Sequence, residues 1–187
     1  MKFRRFLSAL SLFAFATGAT VFAATPAIEG TPVPTRPKPD FSSMQYLIGT
    51  WTCSNLSSRR PGPFTTTEVY SMDPAGYWML RADTTQTASW ISAEQHGQTR
   101  ITWDPVANLW VRISTGDTGV YSVATAPMPV AGKGKTYTYV IQTKAADIAS
   151  YAPEVYMRDS DTKRTMTTSF TEANGTVVTV KQTCTKS

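Results

Sequence analysis

The chain has 187 residues, with 18 Lys+Arg against 13 Asp+Glu, 11% aromatic residues, one histidine and two cysteines. Three of the cations and none of the acids fall in residues 1–23, so the remaining 164 residues carry 15 cations against 13 acids, too even a balance for the basic footprint of a nucleic-acid binder. One histidine and two cysteines leave little for zinc or copper, and no phosphate-binding loop is present, so neither a metal nor a cofactor is expected.

Lys2, Arg4 and Arg5 precede an apolar run from Phe6 to Ala16, which is too short for the roughly 20 residues of a membrane span. Val21-Phe22-Ala23 places small residues where a signal peptidase needs them. Residues 1–23 therefore read as a signal peptide, and the product as exported, periplasmic or secreted. No cysteine follows to take a lipid, and no later segment is apolar enough to cross a bilayer as a helix. Residues 24–40 contain Pro26, Pro32, Pro34, Pro37 and Pro39, which impose extended geometry, and they read as a tether. Residues 41–187 form the folded domain.

Phe41–Tyr46 is expected to make a short helical turn. After it, runs of Thr, Val, Tyr and Trp alternate with turn residues, which is the pattern of strands. The expected strands are Leu47–Ser54, Thr65–Met72, Tyr77–Thr85, Gln98–Trp103, Leu109–Ser114 and Val120–Thr125, followed by Lys135–Thr143, Glu154–Arg158, Thr165–Thr171 and Thr176–Thr183. Asn55–Phe64 and Pro127–Gly134 read as loops. Ser92–Gln95 and Lys144–Ala152 read as single helical turns. Asn174-Gly175 between two alternating runs is a strong hairpin signal. About ten strands with no long helix between them disfavour parallel βαβ units. Within Leu109–Ser114, Leu109, Val111 and Ile113 face one way and Trp110, Arg112 and Ser114 the other, which suits a wall with one wet and one dry face.

Cys53 lies in the first strand and Cys184 in the last. Two cysteines in an exported chain favour a disulfide; two separate buried thiols are the alternative. A bridge would set the first strand beside the last, and so favours an antiparallel meander β-barrel over a two-sheet sandwich.

Gly49-Thr50-Trp51 after the lead-in Met44-Gln45-Tyr46-Leu47-Ile48 resembles the signature of the calycin superfamily, which includes lipocalins and fatty-acid-binding proteins. Tyr70–Trp78, Thr102-Trp103-Asp104-Pro105 and Leu109-Trp110-Val111 are similar to exported bacterial lipocalin-like domains of unassigned function. The resemblance implies a barrel with an interior cavity, in which Gly49 lets the chain bend and Trp51 closes one end. Lipocalins stack a basic residue of the last strand on that tryptophan; here Lys181 is the mid-strand candidate, on the face opposite Cys184. Haem-binding relatives carry glycines where this chain has Cys53 and Asn55, and a late histidine that it lacks.

The resemblance also implies ligand contacts. In fatty-acid carriers an arginine and a tyrosine hold the ligand carboxylate, and Arg81, Tyr156 and Arg158 are the residues here that fit, with Trp51 at the base. Arg81 shares a face with Asp83, and Tyr156 with Arg158; charges on the outer wall are the alternative for both pairs. No catalytic residue is nominated. His96 is read as a loop histidine, and Asp73, Asp104, Asp117, Asp159 and Asp161 as turn residues. The expected function is binding of a small apolar or amphipathic molecule. The alternatives are a barrel enzyme of isomerase or cyclase type using His96 or Asp83, and a structural domain with a filled core. A pocket under about 300 Å³ would argue against a carrier.

Overall fold

The computed structural model describes residues 36–127, 136–143, 145 and 147–187. The signal-peptide reading, most of the tether and all but the first residue of the loop read at Pro127–Gly134 lie outside the described residues. Eleven strands follow a 3₁₀ turn at Ser42–Leu47: β1 (Gly49–Ser57), β2 (Phe64–Met72), β3 (Met79–Thr85), β4 (Gln95–Asp104), β5 (Leu109–Gly116), β6 (Tyr121–Ala126), β7 (Thr136–Ile141), β8 (Ile148–Tyr151), β9 (Glu154–Arg158), β10 (Lys163–Glu172) and β11 (Val177–Lys186).

All pairings are antiparallel. β1 to β7 pair in chain order, then β7 with β9, β9 with β10 and β10 with β11, and β11 returns to β1. The result is a closed ten-strand meander barrel, in which closure removes the free edges that invite aggregation. The short β8 pairs with the far half of β10 while β9 pairs with its near half. Ala152-Pro153 separates the two, and Pro153 has no N–H to give to the ladder.

Two expectations change here. The segment read as a helical turn at Lys144–Ala152 contains β8, because Ile148 to Tyr151 finds a partner in β10. Ser92–Gln95 forms no helical turn; Ala88 bridges Ile91 and β4 begins at Gln95. Asn55, read as the start of a loop, lies inside β1. It is buried, and its Nδ2 donates to Thr66 Oγ1 at 3.0 Å.

Cys53 and Cys184 are cross-strand partners, fully buried, with Cα atoms 4.0 Å apart and a disulfide between them. The barrel is closed at the end where β1 starts. There the 3₁₀ turn lays Met44 and Leu47 across the opening, and Trp51, with no exposed surface, donates Nε1–H to the Leu47 carbonyl at 2.7 Å. Gly49 takes φ +118°, where a side chain is strained and would meet Lys186 Cε at 3.0 Å. Lys186 Nζ donates to the Tyr46 carbonyl at 2.8 Å, tying the last strand to the turn. Trp110, Tyr137 and Tyr139 pack above this plug and fill the lower half of the barrel.

Candidate functional site

The interior of the upper half is polar. Strand alternation turns Glu68 of β2, Arg81 and Asp83 of β3, Arg112 of β5, Glu154 and Tyr156 of β9, and Arg164 of β10 inward. Such groups remain charged under a barrel roof only when they neutralise one another.

They form two clusters. In the first, Glu68 receives Arg164, accepts the Tyr70 hydroxyl at 3.0 Å and Gln182 Nε2 at 3.1 Å, and lies 3.7 Å from Arg81. Burial pushes the Glu68 carboxyl up, but Arg81 and Arg164 outweigh it and hold the group below its ordinary value. Arg164 lies between Glu68 and the Trp51 indole, 5.4 Å from the ring centroid. In the second cluster, Arg112 Nη1 donates to Glu154 Oε2 at 2.5 Å and to the Tyr156 oxygen at 2.9 Å, while the Tyr156 hydroxyl donates to Glu154 Oε2 at 2.9 Å. Burial raises Glu154 too, and Arg112 again reverses the direction. Tyr156 is pushed above the ordinary phenol value, first by burial and then by the adjacent Glu154 charge, so it stays a neutral donor.

Arg81 stands between the clusters. Its Nη2 is 3.2 Å from Asp83 Oδ1, and its Nε is buried with no partner, as is the Nε of Arg112. Asp83 occupies space that only a glycine leaves open. Its cross-strand partner is Gly97, where an added Cβ would sit 2.9 Å from Asp83 Cγ.

Arg81, Asp83, Arg112, Glu154 and Tyr156 line a cavity of about 270 Å³, with Glu68 and Gln182 on its β2 and β11 sides. A mouth of about 290 Å³ continues from it at the open end, sharing Arg81, Asp83, Thr85, Ser114 and Ser122 and bounded by Gly97, Asp117 and Tyr121. A smaller chamber of about 20 Å³ lies between Arg81, Arg112 and four tyrosines.

The residues nominated from sequence separate. Arg81 and Tyr156 line the cavity; Trp51 lies in the plug. Arg158 sits at the closed rim, where it stacks 4.2 Å over the Tyr46 ring and pairs with Asp161 at 2.6 Å. It lines neither the cavity nor its mouth. His96 is exposed, with Nδ1 3.3 Å from the hydroxyl of Thr84, its cross-strand partner; the pair has the opposite strand parity to Asp83 and Gly97, and His96 borders the mouth. The cations over Trp51 are Arg164 and Lys186, the latter with Nζ at 5.7 Å, whereas Lys181 is exposed on the outer wall. Among the described residues, Cys53, Glu68 and Cys184 form a grouping of metal-ligand type, but the two sulfurs are bonded to each other and offer no thiolate.

Glu68, Arg112, Glu154 and Arg164 were not anticipated. Their one sequence signal is a charge in register with inward residues of the same strand: Glu68 with Tyr70, and Arg112 with Trp110.

No protein-family model matches the sequence, and no curated protein matches it. Among solved structures, the chain is similar to a protein of unknown function from the DUF3598 family of Nostoc punctiforme, with 16% identity and a TM-score of 0.41. The match covers 85% of this chain and 53% of the other, so the chain spans about half the length of that protein. A likeness of this degree says nothing of the site.

Proposed function

We propose that this chain is an exported, lipocalin-like binding module that holds a small polar molecule in the cavity at the open end of its barrel. The observation that carries the reading is the cavity of about 270 Å³ inside a closed barrel, lined by buried ion pairs and reached through a mouth of similar size. Ligand pockets begin at about 300 Å³. The cavity alone falls short of that, and the mouth that shares five of its residues adds space open to solvent. The lining supports a polar occupant in place of the apolar or amphipathic one expected from sequence. Arg81 and Tyr156 are its contacts in this reading; Trp51 and Arg158 are not. Export is supported by the leader pattern at residues 1–23 and by a structural disulfide, which persists in oxidising compartments.

Native mass spectrometry of protein purified from its own host tests the reading. Wild type is expected to carry a small adduct that denaturation releases and that Arg81→Leu lacks. A clean apo mass for wild type, with no thermal shift from a fractionated host extract, would contradict it.

A further inference from the structure

Building on the binding-module reading, we infer that the ligand is a small neutral polyhydroxylated molecule, a polyol or a monosaccharide. Met166 is the one aliphatic side chain among the described residues lining the cavity. An alkyl chain would therefore have to desolvate charged and hydroxyl groups without giving them partners, which is costly.

Charge narrows the class further. Glu68, Asp83 and Glu154 are matched by Arg81, Arg112 and Arg164, each in an ion pair within the barrel. A ligand carboxylate or ammonium would enter this balanced set as an uncompensated charge. A hydroxyl brings none.

The hydrogen-bonding pattern fits the same group. Arg81 and Asp83 present N–H donors beside carboxylate acceptors, their nearest atoms 3.2 Å apart. A hydroxyl oxygen accepts and donates at one atom, so it satisfies both neighbours at once. Ser122 and Ser114 add hydroxyls to the wall, the latter already 2.9 Å from Thr99 Oγ1.

The test is an NMR amide-shift titration, with calorimetry, of the oxidised chain against D-glucose, D-galactose, myo-inositol and sodium decanoate. Saturable binding of at least one hydroxylated probe is expected, with shifts at Ser114, Ser122 and Gly97 and none at Trp51. Arg81→Met should weaken it about tenfold or more, as loss of a charged hydrogen bond predicts. If Arg81→Met does not fold, Ser122→Val narrows the cavity without touching an ion pair and serves instead. Saturation by decanoate with the hydroxylated probes inert would overturn the polyol assignment while leaving a binding module. Binding that is indifferent to both variants, or that shifts other amides, would overturn it as well. Should no probe bind, the polyol assignment fails; the binding-module reading falls with it only if the host-purified protein is also clean.

Discussion

Replacing Arg164 by methionine removes the cation from one of the most enclosed charged pairs in the barrel. Its side chain is 1% exposed and that of Glu68 3%. The substitution keeps the volume over Trp51 but leaves Glu68 with Arg81 at 3.7 Å and two neutral donors, Tyr70 and Gln182. Breaking a buried pair from one side costs about 3–5 kcal/mol, because the remaining charge keeps its desolvation penalty. For a domain of this size that corresponds to a fall in Tm of about 10 °C. Urea unfolding followed by tryptophan fluorescence reads the loss, with Trp51 reporting from beside the lesion. Glu68→Leu combined with Arg164→Met should recover much of it, since no uncompensated charge is left. The deficit of the single variant should also shrink as pH falls and Glu68 takes up a proton. A loss below about 1 kcal/mol for Arg164→Met at pH 7 would refute the reasoning, because a pair worth so little is a solvated one.

Reduction of the Cys53–Cys184 bond, whose partners are 131 residues apart, should lower stability by up to about 5 kcal/mol through the entropy of the unfolded chain, read as a lower urea midpoint in reductant; an unchanged midpoint would contradict it. Gly97→Ala should displace the Asp83 carboxylate and cost about 1–3 kcal/mol, while Gly62→Ala, where nothing stands within 4 Å and φ is not positive, is the control for replacing a glycine in open space; equal effects would show that Asp83 does not need the space. Glu68 and Glu154 both titrate below their ordinary value of 4.5 in the folded chain. The stability they contribute is therefore complete above about pH 4.5 and is lost as pH falls through their folded values. Urea midpoints measured from pH 7 to pH 3 should hold and then drop, and a midpoint that rises below pH 4.5 would reverse the sign.

The architecture was legible because its signals are local. Short alternating runs, turn residues such as Asn174-Gly175, and one cysteine in each terminal strand suffice to place the strands and join the ring. The interior was not legible, for a physical reason. In Leu109–Ser114 the inward face is Trp110, Arg112 and Ser114, while Ile113 is 38% exposed. Hydrophobicity alone would turn Ile113 inward, but the ion-pair and hydrogen-bond partners of Arg112 across the barrel decide the matter, and those lie 42 or more residues away. The same holds for Arg164, which finds Glu68 across 96 residues. A charge that a distant partner neutralises looks, in sequence, like a surface charge. Arg158 shows the converse. Its parity with Tyr156 suggested a cavity residue, but one more pair of residues along β9 carries it past the aromatic layer to the rim. Lys144–Ala152 read as helix because its partner, the far end of β10, also lies some twenty residues further on.

During synthesis, β1 emerges early and its second neighbour, β11, more than a hundred residues later. Until residues up to Lys186 are available, one flank of the first strand has no mate and Cys53 has no sulfur to join. Glu68 likewise precedes its counter-ion Arg164 by 96 residues. A chain that withholds its final stitch in this way completes its ring only when Lys186 reaches back to the carbonyl of Tyr46.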